Sequence, residues 1–458
     1  MKPRARTGAA LAASVVIAAF LPGTTASARA IPVSPPADRH YYTTKTPYTP
    51  QESLADYQSA PRGFSPIFTE NVARHGSRAM TDSSDGDAVL AVLNSAQAAG
   101  QLTQLGARLA PQVQALLNGA STIGYGNLSG LGVQEQEQTA LRMEARLPSL
   151  FAAIAAKREP IEVETSGVAR AVASADAFTS GLVAGDPALA SLIQAPVTNK
   201  DLLYFHKQPQ NADYQAYLAS DPDLAAVIAE IDGEPSTAKS AKHVVSRLFT
   251  GQFVASMSSD DQISFSRSLY ELYSAAPDLT AEAPGVDLDP FLPAQDAAWF
   301  AYLDDAEEFY QKGPAFGGRT ITYNMANVLL TDLFTQAEAK ADDTSDMGAV
   351  LRFTHAEEIE PLAVLLQLPG STKAASANVD QPYTYENNPW RGAEVAPMAA
   401  NVQWDLYAGP SADGKGTEYL VRMLYNEKET AFKPSCTPIA KGSYFYDLNE
   451  LKSCYGQS

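Results

Sequence analysis

Three short stretches of this chain carry residues that could do chemistry together. The first is Arg74-His75-Gly76-Ser77-Arg78, two guanidiniums around one imidazole in a protein whose formal net charge is −19. If the segment is helical, residues four apart lie side by side and like charges there repel. Cations at a helix start also oppose the helix dipole. Each effect costs a few tenths to about 1 kcal/mol, and a bound anion turns both into gains. Paired guanidiniums suit phosphate oxygens because they stay charged and donate two parallel hydrogen bonds. Gly76 would let a ligand approach the backbone. Without an anion, the same residues are two surface arginines and a turn histidine.

The second stretch runs from Glu164 to Arg170, "ETSGVAR". A helix cap at Thr165 or Ser166 puts Arg170 in or near the first turn, again a cation where the dipole disfavours one. Alone, that is an ordinary exposed arginine. The third is "RFTHAEE", with His355 and Glu357. Two readings compete for Glu357: Thr354-x-x-Glu357 fits a capping box, and a carboxyl beside a histidine fits a proton donor. All three stretches sit where a strand pattern hands over to a helix pattern. Ligands of open α/β sheets bind outside the carboxyl ends of the strands, so the three would face one crevice. Together they make a phosphate site with a nucleophile, an acid and cations that stabilise developing charge without a metal.

The elements that must position them follow from periodicity. Residues 64–72 and "PIEVETS" (160–166) read as strands, and 87–100, 102–119, 132–151 and 167–182 as amphipathic helices. Strand and helix alternate, which predicts an α/β domain. Between about 207 and 345 the patterns are almost all helical, which predicts an inserted helical subdomain. Strand signals return at 348–355, before a helix over 356–368. They return again at 399–409 and 417–429, a hairpin around "PSADGKG". The domain expectation is therefore an α/β catalytic domain from 64–206 and 346–458, with a helical cap over 207–345. Residues 29–63, rich in Pro, Tyr, Thr and Ser, read as an extended N-terminal arm rather than a core element.

Composition narrows the function. Strong acidity argues against nucleic acid or an anionic membrane as partner. Residues 1–28 read as a secretory signal peptide. Lys2, Arg4 and Arg6 start it, an apolar run at 8–21 follows, and Ala26-Ser27-Ala28 is a small-residue cleavage site. The only cysteines, Cys436 and Cys454, are expected to form a disulfide in an exported protein. No CxxC, HxxxH or HExxH spacing marks a metal site, and no cofactor is expected.

With these residues in hand, the chain resembles the histidine acid phosphatases, the branch-two histidine phosphatases. "ARHGSR" resembles their RHGxR motif. "THAE" is similar to the His-Ala-Glu form of the multiple inositol polyphosphate phosphatases, a phytase family. Ser166, Arg170, Ser174 and Ala175 resemble a Ser-x3-Arg-x3-Ser-Ala stretch, and "NKDLLYF" (199–205) the segment after it. The likeness spans roughly residues 60–455.

The resemblance implies a phosphoglycerate-mutase-like α/β domain with a mixed central sheet, an α-helical cap and two-step, metal-independent hydrolysis. By match, His75 attacks phosphorus, while Arg74, Arg78, Arg170 and His355 hold the transferring phosphate. Glu357 protonates the leaving oxygen and then helps water attack the phosphoenzyme. Met80 stands where many members have proline, and Ala356 moves the acid one residue along from the family's His-Asp pattern.

The expected substrate is a small-molecule polyphosphate: phytate (myo-inositol hexakisphosphate) and lower inositol polyphosphates, handled outside the cell by a monomer. The alternatives are a broad acid phosphatase of sugar or glycerate phosphates such as 2,3-bisphosphoglycerate, and a non-catalytic polyphosphate binder. Further cations for outer phosphates are sought at Lys200, Lys207, Arg319, Lys242, Arg247 and Lys312, each also readable as an ordinary surface charge. His243 reads as a helix-face residue. His40 in the arm and His206 just beyond a strand pattern carry no assigned role.

Overall fold

The apolar runs Phe68–Val72 and Ala349–Phe353 become neighbouring strands buried on both faces, as parallel strands covered by helices require. The computed structural model describes residues 41–379, 381–411 and 414–457. The leader and His40 lie outside them. In chain order, β1 (Ser65–Arg74) is followed by α1 (Ser84–Ala98), α2 (Leu109–Ile123), α3 (Gly130–Arg146) and α4 (Pro148–Lys157). Then come β2 (Ile161–Thr165), α5 (Ala169–Gly185), β3 (Val197–Thr198) and α6 (Lys200–Leu203). Seven helices succeed one another: α7 (Ala212–Ser220), α8 (Pro222–Asp232), α9 (Pro235–Leu248), α10 (Gly251–Ser256), α11 (Ser259–Ala275), α12 (Ala294–Gln311) and α13 (Asn327–Ala341). The chain returns to β4 (Ala349–Thr354), α14 (Ala356–Leu366), α15 (Gly392–Val395), β5 (Asn401–Pro410), β6 (Thr417–Tyr425), β7 (Lys428–Thr430), β8 (Phe445–Asp447) and α16 (Leu448–Tyr455).

The strands form one sheet in the order β3-β2-β4-β1-β5-β6-β7, with β8 pairing β6. From β3 to β1 the pairing is parallel; β5 and beyond are antiparallel. The fold is thus α/β with a mixed central sheet. One apolar layer joins α3, α4 and α5 to the sheet through Phe178, Leu351 and Phe353. The other joins the opposite face to the remaining helices through Phe68, Val72, Val402 and Trp404. Helix α13 lies directly on the sheet: Phe334 meets the Trp404 ring edge-on at 5.0 Å, and Asp332 pairs with Arg352 of β4.

Four local expectations are corrected. The helix read over 132–151 is two helices, because Pro148 cannot extend α3 and instead starts α4. The segment before His206 is not a strand but the short helix α6, capped by Asn199, whose side chain accepts from the Leu202 N–H. The described part of the arm is tied into the body. Thr43 and Thr44 are buried, Tyr48 N–H donates to Glu135 (2.8 Å), and Tyr57 OH donates to the Glu427 carbonyl. Backbone and side-chain polar groups of the arm alike make those ties. Finally, the 74–78 segment is not helical; Arg74 ends β1 and Arg78 forms a bridge with Leu128. Cys436 and Cys454 are joined by a disulfide. No helix among the described residues is long and apolar enough to cross a membrane.

Candidate functional site

The carboxyl ends of β2, β4 and β1 lie side by side. Arg74 stands opposite Thr354, and Thr165 opposite Phe353. The next residues, His75, Ser166 and His355, therefore leave the sheet at one level. The rings of His75 and His355 pack edge to face, 5.3 Å between centroids.

The loop carrying His75 is held by its backbone on every side. His75 N–H donates to the Thr354 carbonyl of β4 (2.9 Å), and the His75 carbonyl accepts from Ala399 N–H (2.9 Å). Gly76 N–H donates to Ser174 Oγ of α5 (3.1 Å). Glu135 of α3 accepts from both the Ser77 N–H (2.6 Å) and its hydroxyl (2.9 Å). Gly76 is needed for a reason the sequence hid: a Cβ there would lie 2.5 Å from the Gly132 carbonyl at the start of α3. A helix, not a ligand, makes the close approach. Met80 half-buries its side chain against the core, while its carbonyl accepts from Gly126 N–H (2.7 Å).

His75 itself is 2% exposed. Its Nδ1 lies 2.9 Å from the Gly76 carbonyl. A carbonyl only accepts, so the ring proton sits on Nδ1 and Nε2 keeps its lone pair. Burial, with Arg74, His355, Arg170 and Arg78 around it, holds its pKa well below the usual imidazole value. A neutral imidazole with a free Nε2 is a nucleophile.

His355 is oriented by Ser166. Ser166 Oγ lies 2.8 Å from His355 Nε2 and accepts from Val168 N–H (3.3 Å). Its own hydrogen is free to point at Nε2, and in that arrangement the His355 proton sits on Nδ1. Among the described residues, that buried nitrogen has no partner. Burial, then Arg170, pushes the His355 pKa down to about 3, against the pull of Glu357. The expected cap is corrected here: Val168 precedes α5, and Ser166 serves the histidine. Arg170 is in the first turn, and Ser174, four residues on, ties the His75 loop to α5.

The arginines supply the cradle. Among the described residues, none of Arg74, Arg78 and Arg170 pairs with a carboxylate, and each leaves a buried Nε–H without an acceptor. Arg352 and Arg146, also buried, likewise leave an Nε–H without an acceptor, but both are paired with glutamates. The Arg74 guanidinium is aimed by the Thr44 and Ala396 carbonyls. Burial and the charges of Arg170 and Arg74 push the Arg78 pKa down to about 10. Such crowding of unanswered cations favours an anion.

Glu357 is not a capping-box residue. Thr354 stays in β4, its hydroxyl near the Leu203 carbonyl (2.7 Å) and Glu358 (2.9 Å), and no side chain caps α14. Glu357 instead faces Lys312, 3.6 Å away. Burial alone would raise its pKa, but Lys312, His206 and His355 outweigh it and hold the carboxyl well below the usual range.

The other sought cations are scattered. Arg319 is already paired with Asp221 and Asp223 and lies over the rings of Tyr217 and Phe316. Lys200 and Lys207 are exposed and unpaired among the described residues. Arg247 donates to the Pro290 carbonyl, and His243 pairs with Asp296. Of the six, Lys312 is the one seen against Glu357. Tyr204, edge-on to His355 at 5.4 Å, and Glu135 were not anticipated: Tyr204 lies in the "NKDLLYF" stretch but has no role assigned there, and Glu135 sits in no motif or spacing that marks it.

The pKa directions predict that both site histidines stay neutral where free imidazole is nearly all protonated. In phosphate-free buffer at pH 5, ring 15N shifts of His75 and His355 should be those of neutral imidazole; imidazolium shifts there would contradict the desolvated, cation-lined site.

Comparison with known proteins agrees with this geometry. The family model of the histidine phosphatase superfamily, branch 2, matches residues 68–426. A structure of the multiple inositol polyphosphate phosphatase of Bifidobacterium longum with inositol hexasulfate is similar at 33% identity and TM-score 0.84, covering 91% of this chain and 97% of that one. Its phosphate complex gives 32% identity and TM-score 0.86, with the same coverage. The phytase from D. castellii shares the fold at 15% identity and TM-score 0.60, covering 91% of this chain and 84% of that one. No curated protein sequence matches the chain. Since the family model spans most of the chain and includes both the His75 loop and the β4–α14 junction, the protein belongs to the histidine phosphatase superfamily, branch 2, and is a phosphoric monoester hydrolase.

Proposed function

We propose that the protein is an exported phosphomonoesterase that hydrolyses phytate and lower inositol polyphosphates through a phosphohistidine at His75. The observation that carries this reading is the set of three arginines without carboxylate partners among the described residues, around a neutral imidazole whose Nε2 is free. Likeness to the Bifidobacterium enzyme across almost the whole chain supports the substrate class. Export rests on the leader-like residues 1–28 and is consistent with the disulfide.

In the first step His75 Nε2 attacks phosphorus and the bond to the inositol oxygen breaks. Glu357 gives its proton to that oxygen. Arg74, Arg78, Arg170 and His355 Nδ1–H hold the three equatorial oxygens, where charge spreads in the transition state. In the second step Glu357, now a carboxylate, takes a proton from water as its oxygen attacks the phosphohistidine; inorganic phosphate leaves and His75 is restored. Of the helices within 207–345, those from α7 to α12 act as a cap over this end of the domain, while α13 lies on the sheet. Support comes from Lys312, just past the end of α12, reaching Glu357. Lys200 and Lys207 are candidates for the outer phosphates.

Phosphate release from phytate, 2,3-bisphosphoglycerate and p-nitrophenyl phosphate, with and without a chelator, tests the reading. Phytate should be turned over equally well in both conditions. Weak activity on phytate beside strong activity on the simple monoester would favour the broad phosphatase, and loss on chelation would sink the metal-free chemistry.

A further inference from the structure

Lys312 places one ammonium between carboxylates of two helices. Its Nζ lies 2.6 Å from Glu308, one turn back on α12, and 3.6 Å from Glu357 in the first turn of α14. The lysine side chain is 14% exposed and that of Glu357 32%. Glu360, three residues after Glu357, is buried, and among the described residues neither carboxyl oxygen is hydrogen-bonded. The remaining charged or titratable groups facing Glu357 are Glu358 on α14, His355 at the end of β4, Arg170 on α5, and Tyr204 and His206 after α6. Tyr214 on α7 and Arg78 beyond β1 are also close enough for their charges and that of Glu357 to affect one another. Among the described residues only Lys312 comes within ion-pair distance of Glu357.

This is an odd tie for a proton donor, since a neighbouring ammonium favours the form that has no proton to give. We infer that Lys312 is a positioning residue that keeps Glu357 unprotonated in the empty site and lets go when a second phosphate of the substrate takes the ammonium, so that polyphosphates arm the acid and simple monoesters do not. The inference rests on the reading of Glu357 as proton donor. A phosphate that engages Lys312 removes the opposite charge from Glu357 and adds a like charge nearby; both changes raise its proton affinity. Glu308 competes for the same ammonium. Burial, then Glu308, raises the proton affinity of Glu360 well above the usual carboxyl range, which weakens it as a competitor for Lys312.

The test is the pH dependence of kcat/KM, which reports the free enzyme, with glycerol 2-phosphate. That substrate has one phosphate and a leaving alcohol that needs the proton. Lys312→Met should move the basic limb up by about one pH unit or more. Glu308→Gln leaves the ammonium wholly to Glu357 and should move the limb down. In the native enzyme, the basic limb of kcat should lie higher with inositol hexakisphosphate than with glycerol 2-phosphate, and Lys312→Met should close that gap. General loosening of the fold does not shift two variants in opposite directions. If Lys312→Met does not fold, the downward shift in Glu308→Gln decides alone. A limb that stays put, or both variants shifting the same way, overturns the role of Lys312. Glu357→Gln separates the failures: full activity on glycerol 2-phosphate would overturn the proton-donor reading itself, and this role with it.

Discussion

Replacing His75 by alanine is expected to lower turnover of inositol phosphates by roughly 10^4-fold or more, while phosphate still binds. The fold should survive, because His75 is anchored through its backbone to Thr354 and Ala399, and alanine keeps those bonds. The imidazole is neutral in the empty site, so its removal leaves the charge of the arginine cradle unchanged. What is lost is the single free Nε2 lone pair. Melting temperature, phosphate affinity by calorimetry and kcat measured on one preparation check all three statements. Residual turnover within tenfold of the native enzyme would mean that another group, or water, attacks phosphorus.

Glu357→Gln should divide substrates by leaving group. An inositol alkoxide is a poor leaving group and needs the proton, so kcat/KM for phytate should fall by about 10^2- to 10^4-fold. A p-nitrophenolate leaves without help. The variant should therefore release one equivalent of nitrophenolate per enzyme in a burst and then slow, since the carboxylate that deprotonates the attacking water is also gone. Stopped-flow absorbance reads this directly. A variant that turns over phytate and p-nitrophenyl phosphate at native rates would return Glu357 to a local partner of Lys312 with no part in the chemistry.

Much of the site was legible in sequence because its parts sit at strand ends. The β-prone run before Arg74, the alternation of "IEVET" and the run before His355 each mark where a parallel strand stops. Parallel pairing then brings those ends level without further information. Local motif logic failed where long-range contacts override it. Thr354 and Glu357 have capping-box spacing, but Thr354 is held in β4 beside Leu203 and Glu358, and Glu357 turns to Lys312. Gly76 suggested room for a ligand, but the neighbour it makes room for is Gly132, in a helix whose position no spacing reveals. Lys312 shows its i, i+4 partner Glu308 in the sequence; its second partner, on another helix, appears only when α12 and α14 meet. The helical pattern of α13 is the same whether a helix belongs to a cap or lies on the sheet, and only Phe334 against Trp404 and Asp332 against Arg352 decide it.

The most direct test of the central claim is to trap the covalent intermediate. Glu357→Gln enzyme, mixed with p-nitrophenyl phosphate and quenched in alkali, which spares phosphohistidine, is digested and sequenced by mass spectrometry. The account predicts one added HPO3 group, on His75. A phosphate on His355, on any other residue, or on none while nitrophenolate is released would contradict it.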